Sequence, residues 1–155
     1  MEIDKELSRL NIAKQDIGKA IEFLESAQNH EATSLEYEAL IMIAIIHYAR
    51  PFSINEKSPT ANALASVPPA VTEVYTPDEV RLHHRLINRR NKAIAHAEWN
   101  EFPVKIDRQA NFMRSSRYSV YPEFLDSTPL IALLRKLHTH LFNMVIDRVC
   151  KVPRK

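Results

Sequence analysis

The chain of 155 residues holds one glycine, one cysteine and one tryptophan, and its 19 acidic side chains nearly cancel its 21 basic ones. Each scarcity excludes something. With Gly18 as the single glycine, no Gly-rich loop exists to cradle phosphates. With Cys150 alone, neither an internal disulfide nor a thiolate metal cluster can form, and the thiol is expected to be a packing residue. The longest strongly apolar run, Leu40 to Ile46, falls far short of the ~20 residues that cross a bilayer, so no membrane partner is expected. Met1 to Glu6 lacks the basic start and apolar stretch of a secretory signal, which makes the cytoplasm the expected compartment. A net charge of +2 leaves the case for an anionic partner to local clustering.

What the chain does have is helical periodicity broken by nine prolines. Ile3, Leu7, Leu10, Ile17, Ile21 and Leu24 recur at helical spacing and predict an amphipathic helix over about residues 3–28. A second helix, led in by Ser34 to Glu38, is apolar on nearly every face from Leu40 to Ala49, belongs in the centre, and ends near Arg50 because Pro51 cannot continue its ladder. The connection over 51–76 is longer than usual, and a short helical turn near Ala61 to Ala65 is expected within it.

Thr76-Pro77-Asp78-Glu79 combines an N-cap, a first-position proline and dipole-favoured acids, starting a third helix that runs to about Ala97. Further on, Val104-Lys105-Ile106 and Tyr118-Ser119-Val120-Tyr121 are candidates for a short hairpin. Ser127-Thr128-Pro129 opens a fourth helix with an apolar face of Leu130, Leu133, Leu134, Leu137, Leu141, Met144, Val145 and Val149. The expected fold is all-α: one domain over 1–155, a four-helix bundle with a short hairpin or irregular insert before the last helix.

Chemistry concentrates on the third helix. At ~100° per residue, Leu82, Leu86, Ile87, Ala93, Ile94 and Ala97 share an arc about 140° wide, and Arg90 falls inside it. A guanidinium is costly to bury alone, so Arg90 should face a crevice or a carboxylate such as Glu38 or Asp16. Arg85, Arg89, Lys92 and His96 form a cationic stripe along one edge of that arc. The stripe suits a phosphate backbone, with His96 able to move a proton near neutral pH; a solvated helix face is the plain alternative.

Arg90-Asn91-Lys92-Ala93-Ile94-Ala95-His96 resembles the arginine, polar residue, spacer and histidine motif of the HEPN superfamily, and Tyr48-Ala49-Arg50-Pro51-Phe52 is similar to a segment of small proteins in that group. The resemblance implies a metal-independent endoribonuclease without cofactors, acting as a homodimer on RNA, as in toxin–antitoxin and phage-defence systems. Arg90, Asn91 and His96 would be catalytic, while Arg85, Arg89 and Lys92 would grip the backbone. On a straight helix Arg90 and His96 point about 120° apart, which a groove shared across a two-fold axis would relieve. The family also implies an alternative, a noncatalytic binding or dimerisation module for a nucleotide, RNA or a protein partner such as an antitoxin.

Other clusters are weaker. His83-His84 and His138-x-His140 diverge on a helix, where metal ligands must converge. Phe112, Arg114, Arg117, Tyr118 and Tyr121 could stack on unpaired bases or cover an edge of the bundle. Trp99 is expected to pack. No paired carboxylates or activated nucleophile favour a small-molecule enzyme.

Overall fold

The computed structural model describes residues 4–53, 66–91, 104–107, 112–115, 124 and 126–151, with backbone alone for the two strand segments. The fold is an all-α four-helix bundle: α1 (Lys5–Ala27), α2 (Leu35–Ala49), α3 (Pro77–Arg89) and α4 (Thr128–Lys151). Local chemistry sets the helix starts. Asp4 caps α1 by accepting from the Leu7 amide at 3.0 Å, and Ser34 caps α2 from the Tyr37 amide at 3.1 Å. Thr76 and Glu79 form a reciprocal capping box at α3, with Pro77 in the first turn.

Ion pairs at both ends show that α1 and α4 run antiparallel. Arg148 meets Asp4 at 2.9 Å, and Arg135 meets Glu25 at 2.7 Å. Between them Leu10, Ile17 and Leu24 of α1 close a dry interior against Leu130, Leu134, Leu137 and Leu141 of α4, joined by Ile41 and Ile45 of α2 and Leu86 of α3. Lys136 reaches Glu79 at 2.6 Å, fastening the start of α3 to α4. The hydroxyl of Tyr37 donates to the Phe124 carbonyl at 2.6 Å and so pins the approach to α4 against the head of α2.

Several expectations are corrected. Ile43 is 38% and Leu35 76% exposed, so α2 is not buried all round. Val149 is 50% exposed and Cys150 is also exposed: the fully buried face of α4 ends at Leu141, with Met144 and Val145 beyond it only partly buried against the core. Val104 does begin a strand, but β1 (Val104–Asp107) pairs with β2 (Phe112–Ser115), antiparallel with Asp107 opposite Phe112. A four-residue connection suits a hairpin, whereas a partner at Tyr118 to Tyr121 would need a longer loop. Pro51 sits in a 3₁₀ turn (Arg50–Phe52) that closes α2, and a second 3₁₀ turn lies at Pro69–Thr72. The turn expected at Ala61 to Ala65 and the packing of Trp99 lie outside the described residues. Among those described, no helix is long and apolar enough to cross a membrane.

Candidate functional site

The cationic stripe begins as the wheel predicts. Arg85 is exposed, Arg89 is half-buried, and Leu86 between them is fully buried. Arg90 caps the C-terminus of α3, its backbone N–H reaching the carbonyls of Leu86 and Ile87. A cation there complements the negative end of the helix dipole. Arg90 and Asn91 continue in a wider, π-type turn, an irregularity that often accompanies function.

Arg90 is half-buried, as its place in the apolar arc requires, and its Nη1 donates to Oδ1 of Asn91 at 3.0 Å. The expected bridge to Asp16 is not made: that carboxylate is held instead by Arg50 and His47. Arg90 and Asn91 thus present a linked guanidinium and amide at the end of α3. Lys92, Ala93 to Ala97 and His96 lie outside the described residues, as do Arg117, Tyr118 and Tyr121.

The segment Tyr48 to Phe52 joins three helices. Tyr48 is buried, with its hydroxyl 2.8 Å from Nδ1 of His83 and 3.2 Å from the Tyr75 hydroxyl. Arg50 pairs with Asp16 of α1 at 2.9 Å. The Pro51 carbonyl accepts from buried Arg9 at 2.6 Å and from the Val67 amide at 3.0 Å. Phe52 meets the His83 ring edge-on at 4.7 Å. Four neighbouring residues thereby tie the end of α2 to the body of α1 and of α3.

Burial, and secondarily the neighbouring His84, pushes the His83 pKa down to about 4. An unfolded chain would take up that proton near pH 6.5, so between the two values the unfolded state binds more protons. The contribution is present above pH 6.5 and lost as pH falls toward 4; with the ring partly in solvent, linkage gives about 1–2 kcal/mol. Chemical denaturation at pH 7 and pH 4.5 should therefore show a smaller loss in His83→Gln than in the parent; equal losses would contradict this.

A second constellation lies between α1, α2 and α4. An open cleft of about 570 Å³ has Asp16 on one wall, where Arg50 and His47 converge on Oδ1 at 2.9 Å and 3.4 Å. Lys14, Gln15, Lys19 and Glu22 of α1 and His138 of α4 complete its polar lining. Gly18 faces His138 with no side chain between them. Behind Asp16, Arg9 is buried; it donates only to the carbonyls of Arg50 and Pro51, and its Nε has no partner among the described residues. Burial weighs against the Arg9 charge and Asp16 favours it.

Sequence reading singled out none of this cleft as a site. Its walls are far apart in the chain, and the one signal that could point to it is a glycine in mid-helix. His138 faces the cleft while His140 approaches the Ala70 carbonyl at 3.3 Å, so the two imidazoles serve different surroundings. Among the described residues no three His, Cys, Asp or Glu side chains are grouped to hold a metal ion.

No protein-family model, curated protein or solved structure matches this chain.

Proposed function

We propose that the chain is a metal-independent endoribonuclease of HEPN type, acting as a homodimer with Arg90, Asn91 and His96 in a site composed from both protomers. The observation that carries the reading is Arg90 itself, a half-buried guanidinium whose side chain is tied to the amide of Asn91 rather than to a carboxylate. A permanent cation with no carboxylate partner among the described residues is available to a phosphate, and a second polar group fixes its direction. Arg85 is exposed on the same helix, where it can follow the RNA backbone together with Arg89 and Lys92.

In the proposed reaction His96 takes the proton of a ribose 2′-hydroxyl as its oxygen bonds to phosphorus. The bond from phosphorus to the 5′-oxygen breaks, and that oxygen receives a proton from an imidazolium. Arg90 neutralises the charge on the phosphorane oxygens, the term that commonly lowers such barriers most. The products are a 2′,3′-cyclic phosphate and a 5′-hydroxyl.

Incubating the protein with mixed RNA in EDTA and characterising the fragment ends tests this directly. Chelator-resistant cutting with cyclic phosphate ends is the expected result. A folded dimer that leaves RNA intact would overturn it and favour a noncatalytic binding module.

A further inference from the structure

The cleft between α1, α2 and α4 is separate from the Arg90 motif and carries a charge pattern that internal pairing does not close. Its two carboxylates are both engaged, Glu22 by Lys19 at 2.6 Å and Asp16 by Arg50 and His47. Lys14 has no carboxylate partner among the described residues and rests over the Phe142 ring at 5.8 Å, beside His138. Behind the wall Arg9 adds a further cation that shares Asp16 with Arg50 and donates its hydrogen bonds to carbonyls. Counting Arg9, four fixed cations surround two carboxylates.

Two half-buried imidazoles, His47 and His138, also face the cleft, one oriented by a carboxylate and the other left open beside Gly18. A ligand entering this space meets N–H donors from three helices. The volume is in the range of small-molecule sites. Excess positive charge, multiple N–H donors and modest size together select a compact anion rich in acceptor oxygens.

We propose that this cleft binds a phosphate-bearing ligand, its phosphoryl oxygens held between Lys14 and His138 with a further N–H available from the exposed side of Arg50. The site uses neither Arg90 nor His96 and stands whether or not the chain cuts RNA. The titratable and charged groups that line the cleft with His138 are Lys14, Asp16, Lys19 and Glu22 from α1, His47 from α2 and Arg50 from the 3₁₀ turn that closes α2. Burial, and then the Lys14 charge, hold the imidazolium form of His138 down. An anion seated between the two reverses the second effect.

The probe is inorganic pyrophosphate, added at constant ionic strength against a sodium chloride control while the imidazole signals of His138 are followed by NMR through a pH titration. The expected result is a rise of the His138 pKa by about one unit in the parent, as for a charge within contact distance. That rise should be absent in Lys14→Gln, which changes a side chain at the cleft rim. No rise in the parent, or the same rise in Lys14→Gln, would overturn the proposal. A 2′-O-methyl RNA oligomer, which cannot be cut, is then added as competitor: displacement of pyrophosphate makes a nucleic-acid backbone the source of the phosphate, and failure to displace it makes the source a small phosphorylated molecule.

Discussion

Replacing His96 by alanine is expected to slow RNA cutting by about 10²–10⁴-fold, the range that a positioned proton donor or acceptor contributes. Arg90→Ala should cost about 10²–10³-fold, and Arg90→Lys should recover part of this, because an ammonium restores charge without the planar fork. The informative experiment combines the two. If each site draws Arg90 from one protomer and His96 from its partner, a heterodimer of Arg90→Ala with His96→Ala regenerates one intact site. Random pairing then restores about a quarter of the parent rate in an equimolar mixture, whereas a site contained within one chain restores none. Circular dichroism on each variant separates loss of chemistry from loss of fold.

The second large effect concerns stability. Asp16 is the carboxylate on which Arg50 and His47 converge and the charge that favours ionised Arg9. Asp16→Ala leaves the buried Arg9 guanidinium among backbone carbonyls alone, and removing one partner of a buried ionic cluster costs about 3–5 kcal/mol. Since Arg50 is 54% exposed and can rehydrate, about 2–3 kcal/mol is expected here, or a fall in Tm of about 6–10 °C. Arg9→Met in the same chain removes the charge that Asp16 offsets. The double variant should therefore lose less than the two single losses added together; strict additivity in denaturation experiments would show that Arg9 does not depend on Asp16.

Much of the bundle was readable because its helices are written in local signals. Leu10, Ile17 and Leu24 share a face by spacing alone, and Thr76 and Glu79 mark a helix start without tertiary information. Strand pairing was harder, since Phe112 to Ser115 has no clear alternation and its choice rests on the short connection from Asp107. Solvent exposure at the end of α4 was also hidden, because Val149 continues the apolar period of Leu141, Met144 and Val145 yet is itself half exposed.

The two candidate sites divide along the same line. Arg85, Arg89, Arg90 and Asn91 are neighbours on one helix, so a wheel places them. Lys14, Asp16, His47, Arg50 and His138 come from three helices and the turn that closes α2, and nothing in their spacing brings them to one cleft. The segment Tyr48 to Phe52 falls between these cases. Its pattern was visible, but its physical meaning emerges only from Asp16, Arg9, Val67, Tyr75 and His83, all distant in sequence.

The antiparallel pairing of α1 with α4 also has a kinetic side. The short connection 28–34 brings α1 against α2, whereas residues 50–127 must be gathered before α4 reaches the same hydrophobic face. Closing the longer loop costs about 2 kcal/mol more in chain entropy. The α1–α2 hairpin is therefore the favoured nucleus, and α4 docks late onto a surface that α1 keeps exposed until then.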